Sequence, residues 1–188
     1  MTSIDQQTAF VTGASRGLGK ELVTQLLERG ARKVYATARD ASTIDTSDDR
    51  VVALQLDVTD PESVRRAAEA APDVTMLVNN AGIATGAGVL DVDQTDIRRE
   101  FETNFFGPLQ VTSALAPVIV ANGGGVVLDV HSALSWISFG GSYEATKAAF
   151  WSATNAFRLA LAPQGVQVVG LHVGYMDTDM VAAIDAPK

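Results

Sequence analysis

Six short runs rich in β-branched residues alternate with stretches of helical apolar spacing, and this rhythm limits the fold more than any other feature of the chain. The runs are TAFVTG (8–13), KVYAT (33–37), VVALQLDV (51–58), VTMLVNN (74–80), GVVLDV (125–130) and VQVVGLHV (166–173). They show little polar alternation, so both faces of each are expected to be buried, as in a parallel sheet. Residues 19–30, 60–71, 95–122 and 143–162 place apolar side chains at the spacing of helices packed on a sheet. Asp60 followed by Pro61 reads as an N-cap with proline in the first turn, and Gly30 and Gly165 read as helix stops. Such a series of βαβ units predicts right-handed crossovers and a three-layer, doubly wound α/β sheet with six visible strands.

The 188 residues suit one compact domain with a substantial core. Lys and Arg number 14 against 22 acidic residues, a formal charge of −8, and no basic run stands out, so no nucleic-acid partner is expected. Absence of cysteine excludes disulfides and thiolate metal sites and fits a reducing cytoplasm. MTSIDQQTAF lacks the basic-then-apolar pattern of a secretory signal, and no uninterrupted apolar run approaches the ~18 residues of a membrane span. The expectation is therefore a cytoplasmic protein without a membrane partner.

Directly after the first apolar run comes TGASRGLGKE, with Gly13, Gly17 and Gly19 opening a helix. Glycines permit the tight turn and close backbone approach, and the helix N-terminus offers amides and a partial positive charge to a pyrophosphate. A nucleoside-triphosphate loop would need glycine at Ala14 and a hydroxyl residue at Glu21, so the stretch reads as a dinucleotide site. At the end of the second run, TARD puts Ala38 where a carboxylate would grip an adenosine 2′-hydroxyl, with Arg39 next and Arg16 available from the glycine loop. This favours NADP(H) over NAD(H). A ribose contact from Asp40, with both arginines merely solvated, is the competing reading.

Taken in order, TGASRGLG, LDV at 56–58, NNAG at 79–82, Asn104, Ser132 and YEATK at 143–147 make the chain resemble the short-chain dehydrogenase/reductase family, over residues 8–180. The resemblance implies a Rossmann-type fold in which Gly13, Ser15, Arg16, Gly17, Leu18 and Gly19 carry the pyrophosphate. It also implies that Asp57 bonds the adenine with Val58 packed beside it, and that Asn80, Ala81 and Gly82 lie along the ribose. Gly174 and Thr178 match the segment that approaches the cofactor, Thr178 bonding the carboxamide, although Val173 stands where the family usually has proline. The family pattern further implies a homodimer or homotetramer.

Hydride transfer to a ketone leaves negative charge on oxygen, which needs a proton donor and a second hydrogen bond. Tyr143 and Ser132 supply groups of those types, acting on a small carbonyl or secondary alcohol. Free tyrosine titrates near 10, and Lys147, at i+4 on the same helix face, brings positive charge that favours tyrosinate. By resemblance, Lys147 also holds the nicotinamide ribose and Asn104, at a helix bend, helps retain a relay water. His131 should point away from Ser132 and pack as a neutral ring. Asp129 reads as a strand-end polar residue. Trp136, Phe139 and Trp151 are candidates for a substrate wall, with packing an equal alternative for Trp151.

Two features depart from the family. Tyr143 follows Ser132 by eleven positions (143 minus 132), two fewer than usual, and the sequence stops at Lys188 before the usual final strand and helix. The short spacing predicts omitted residues, so that consecutive Cα atoms near 140–143 would lie much farther apart than the ~3.8 Å of a trans peptide. A non-catalytic NADP(H)-binding regulator with a degraded site is the alternative function.

Overall fold

The computed structural model describes residues 3–91 and 93–176. Its six strands are β1 (Thr8–Val11), β2 (Lys33–Ala38), β3 (Val51–Gln55), β4 (Met76–Asn79), β5 (Gly125–Ser132) and β6 (Val166–Val173). They form one sheet in the order β3-β2-β1-β4-β5-β6, and every pairing is parallel. The doubly wound, Rossmann-type architecture read from the alternation is the one observed.

Helix α1 (Gly17–Glu28) packs on one sheet face, where Val23 and Leu26 join Val11, Val34, Ala36 and Val78. Helices α2 (Pro61–Glu69), α3 (Thr95–Phe101), α4 (Gly107–Ala121) and α5 (Ser142–Leu161) complete the set. Side chains of α2, α4 and α5, such as Val64, Leu115 and Leu161, meet Phe10, Leu77 and Val127 on the opposite face. The period-two alternation of each strand therefore divides apolar side chains between two cores. Asp60 caps α2, its carboxylate accepting from the Glu62 amide at 3.0 Å, and Gly165 stops the segment after α5 at φ +76°.

Three strands, β1, β3 and β4, are shorter than their apolar runs. At Asp57 the chain leaves the sheet because its carboxylate accepts from the Thr59 amide (2.9 Å) and hydroxyl (2.7 Å), a local turn that competes with the ladder. At Thr12 the hydroxyl accepts from the Asn80 and Ala81 amides, both at 3.0 Å, tying the glycine loop to the segment after β4.

The 95–122 segment is not one regular helix. One wide turn over Glu102–Phe106 joins α3 to α4, and Asn104 sits in it. Thr95–Ala121 as a whole, though interrupted by charged residues, is long and apolar enough by length and composition to cross a membrane. Val111, Leu115 and Ile119 of this stretch are buried in the protein's own core.

The sheet order reverses between β1 and β4, whose carboxyl ends carry the glycine loop and residues 79–82. A crevice at such a switch point is where open α/β sheets place their ligands.

Candidate active site

Glycine geometry builds the first wall. Gly13 and Gly17 have φ of +67° and +52°, a left-handed conformation that turns the chain from β1 into α1. A Cβ on Gly19 would lie 2.1 Å from the Gly13 carbonyl oxygen and 2.6 Å from Asn80 Nδ2, so α1 approaches the loop more closely than any side chain permits. Arg16 forms the N-cap without a side-chain cap bond, and Ser15 and Leu18 flank it, both half-buried. These are the features that a pyrophosphate cradle requires: turned backbone, a helix N-terminus and close packing.

The wall continues without interruption towards the reactive groups. A Cβ on Gly13 would meet Ala81 Cα at 3.0 Å, and one on Gly82 would meet Asn104 Oδ1 at 3.2 Å and Lys147 Nζ at 3.7 Å. Asn80 Nδ2 donates to the carbonyl oxygens of Thr12 (2.9 Å) and Gly13 (3.2 Å). Asn104 is held on three sides: Oδ1 accepts from the Ile83 amide at 2.8 Å, while Nδ2 donates to Ile83 O at 2.8 Å and Thr146 Oγ1 at 3.1 Å. The wide turn aims this side chain across at the catalytic-helix candidate α5. Val58 is buried against α4 at Gly107, where a Cβ would lie 2.8 Å from Val58 Cγ2.

Ser132, Tyr143 and Lys147 converge. Ser132 Oγ accepts from the Leu134 amide at 3.1 Å. The same hydroxyl stands close enough to the Tyr143 phenol to lower its pKa. Lys147 is buried, donates to the Val130 carbonyl oxygen at 3.0 Å, and lies 5.7 Å from the Tyr143 ring centroid.

The electrostatics differ from the expectation for this pair. Burial pushes Tyr143 up to about 12; the nearby Ser132 opposes that rise and the Glu100 charge adds to it. Burial likewise pushes Lys147 down to about 8, against the attraction of Asp129. The ammonium is turned to the Val130 carbonyl oxygen and does not depress the phenol.

The chain runs unbroken through 131–147, which corrects the expectation of omitted residues. A tight turn over Ala133–Ser135 follows Ser132 directly, and residues 138–141 then wrap around Glu144 in the first turn of α5. The Glu144 carboxylate accepts from Ser138 Oγ (2.7 Å) and from the amides of Phe139 (2.7 Å), Gly140 (3.2 Å) and Gly141 (3.0 Å). Gly140 at φ +98° permits the wrap. The shortened loop thus brings the two hydroxyls together.

Asp129 is a further correction. It lies mid-strand and fully buried, accepting from Asn79 Nδ2 at 2.8 Å and from Thr154 Oγ1 at 2.7 Å. Thr154 also meets His131 Nε2 at 3.0 Å, and burial pushes His131 down to about 3, a neutral packed ring as expected. Trp136 stacks on His172 with centroids 4.0 Å apart, and Trp151 meets Trp136 edge-on at 5.9 Å. Phe139 is three-quarters exposed. Arg39 is exposed at the end of β2, and Asp40 is committed to Ser42, accepting from its amide (3.0 Å) and hydroxyl (2.7 Å). Gly174 follows β6 in open space, and Thr178 lies outside the described residues.

The family model described as short chain dehydrogenase matches residues 7–188. The chain belongs to the short-chain dehydrogenase family. A short chain dehydrogenase from Burkholderia cenocepacia J2315, solved in complex with NADP, superposes with a TM-score of 0.96 at 40% identity, covering 100% of this chain and 80% of that one. The NADPH-dependent 1-acyldihydroxyacetone phosphate reductase of Schizosaccharomyces pombe is 31% identical over 92% of this chain and 61% of its own length. Short-chain dehydrogenase PC-15 of Penicillium crustosum is 34% identical over 93% of this chain and 68% of its own length. The chain thus spans about three-fifths to two-thirds of these two relatives.

The motif residues that carry glycine or a reactive group line one crevice. Glu100, Glu144 and Thr12, which hold them in place, carry no role assigned from the sequence. Glu100 lies four positions before Asn104, on the same helical face, and that spacing was a usable signal.

Proposed function

We propose that this protein is an NADP(H)-dependent oxidoreductase that reduces a carbonyl to a secondary alcohol, with Tyr143 as the proton donor. The observation that carries this reading is the convergence of Ser132, Tyr143 and Lys147 at the end of a glycine-walled crevice. The glycine loop, the α1 N-terminus and residues 80–82 fit a dinucleotide: they leave backbone where a side chain would obstruct it. When bound, NADPH supplies the hydride to the carbonyl carbon. Tyr143 gives its proton to the carbonyl oxygen, and Ser132 donates a second hydrogen bond there as negative charge develops. Leu134 supports this by occupying an acceptor site of Ser132 Oγ, which leaves the serine proton to point inward.

A phenol pushed up to about 12 stays protonated at neutral pH and suits an acid in the reductive direction. Lys147, buried beside Gly82, is placed to meet the nicotinamide ribose, and Asn104 to hold the turn next to it. Preference for NADP(H) is supported by Ala38 at the strand end, by exposed Arg39 after it, and by the commitment of Asp40 to Ser42. The names of two relatives, one NADPH-dependent and one solved with NADP, point the same way.

NADPH oxidation, followed with a panel of β-keto esters, long-chain ketones and keto sugars, tests the reading. Tyr143→Phe is expected to lower turnover at least about a hundredfold, the scale of a lost acid, while the NADPH Kd changes little. Equal turnover in the two proteins would sink the assignment, and NADPH binding without turnover on any substrate would favour a non-catalytic regulator.

A further inference from the structure

Glu100 is fully buried on α3, in a region where the motif residues leave it no role. Its Oε1 accepts from both the amide (2.6 Å) and the hydroxyl (2.8 Å) of Thr85, on the segment that follows residues 79–82. Its other oxygen, Oε2, accepts a short hydrogen bond from the Ser142 hydroxyl. Ser142 immediately precedes Tyr143 in the first turn of α5, and its amide and hydroxyl also reach the Ala87 carbonyl oxygen, at 2.9 and 3.2 Å. A bridge between Gly88 and Gly141 continues the same contact.

We propose that Glu100 is a positioning residue for proton transfer: its buried carboxylate joins the substrate-side segment at Thr85 to Ser142, and so sets where Tyr143 stands relative to a bound carbonyl. Three donors converge on a group that only accepts when ionised, so the clamp is charge-assisted on both sides. Burial excludes water as a substitute partner, and removing the carboxylate leaves the Thr85 amide and both hydroxyls to find new acceptors.

The charge has a second consequence. Among the described residues, the ionisable groups that face Tyr143 are Glu100 from α3 and Lys147 from its own helix. Asp129 and His131 of β5 are engaged with Thr154, and Glu144 is turned onto residues 138–141. Burial raises the phenol and the Glu100 charge adds to the rise. The clamp therefore also holds Tyr143 in its proton-donating form.

Glu100→Gln and Glu100→Ala separate these effects. Glutamine keeps an acceptor for Thr85 and loses the charge, whereas alanine loses both. In Glu100→Gln, amide exchange of 84–91 and 138–143 and the NADPH Kd are expected to remain within about twofold of wild type. The high-pH fall in kcat/KM for carbonyl reduction should nevertheless move to lower pH. In Glu100→Ala, exchange should rise at least about tenfold in those two segments and not in the β1–β4 core, with a raised KM and a lowered kcat.

Wild-type exchange in the alanine variant, uniform acceleration over the whole chain, or an unmoved pH limb in the glutamine variant would each overturn the proposal. The kinetic arm rests on Tyr143 acting as the acid, measured with whichever ketone of the panel reacts fastest. The exchange arm does not, so failure of that reading and failure of the clamp are seen separately.

Discussion

Lys147 donates its hydrogen bond to the Val130 carbonyl oxygen at 3.0 Å, not to Tyr143, whose ring centroid lies 5.7 Å away. An ammonium in that position is buried with one backbone acceptor and the charge of Asp129 as its compensation, and burial pushes it down to about 8. The unfolded chain keeps the same proton up to the ordinary lysine value of 10.5. Between those two values the unfolded state binds more protons, so stability must rise with pH.

From this relationship we expect the protein to gain stability between about pH 8 and 10.5, relative to Lys147→Met. The full difference is about 3 kcal/mol at about 1.4 kcal/mol per pH unit. Denaturant unfolding of both proteins across that range measures it. Parallel curves for the two would show that Lys147 is not carried as a buried ammonium at neutral pH.

Arg39 gives a prediction about the cofactor. A charge-assisted bond to a 2′-phosphate contributes about 1.5 to 3 kcal/mol, so Arg39→Ala should weaken NADPH at least about tenfold and leave NADH nearly unchanged. Fluorescence titration of both dinucleotides decides it. An unaltered NADPH/NADH ratio would return the ribose contact to another group, although Asp40 would first have to release Ser42.

What was legible in the sequence follows a physical line. The βαβ alternation and the glycines are local signals: a buried parallel strand needs continuous apolar residues, and a left-handed turn needs glycine, wherever the rest of the chain goes. Tyr143 and Lys147 were legible for the same reason, being one helical turn apart. Asp129 was misread because its meaning lies in partners 50 and 25 residues away, Asn79 and Thr154, which bury a carboxylate mid-strand. The loop between Ser132 and Tyr143 was misread because counting residues does not reveal that Glu144 gathers donors from both the loop backbone and Ser138.

His131 predicts behaviour in acid. Burial, aided by the charges of His172, Lys147 and Arg158, pushes it down to about 3 from an ordinary 6.5. Its folded form therefore stays neutral while the unfolded chain takes up a proton as pH falls through 6.5. Stability should be lost towards pH 3 by up to about 1.4 kcal/mol per pH unit from this group. His131→Leu should be less stable at pH 7, having lost the Thr154 contact, yet show a flatter decline in acid. Equal slopes for variant and wild type would mean that another group governs the acid limb.

Glu144 governs the short connection between the two reactive hydroxyls. Residues 136–141 have no regular ladder to hold them, and Trp136, Ile137 and Phe139 there are exposed, so the path depends on the four donors that converge on this carboxylate. In Glu144→Ala three amides and one hydroxyl lose their acceptor at a buried position, at a cost of about 1 to 3 kcal/mol. The loop should then exchange its amide protons faster over 138–141 while α5 remains helical. Ser132 is anchored separately by Leu134, so it keeps its place, and the freedom falls on the wall of the crevice and not on the acid itself. A KM raised about tenfold with kcat within about threefold is therefore expected, as for lost binding that does not change the reacting geometry. If kcat falls instead and KM is unchanged, the loop positions Tyr143 as well as the substrate, and the short spacing belongs to the proton-transfer geometry.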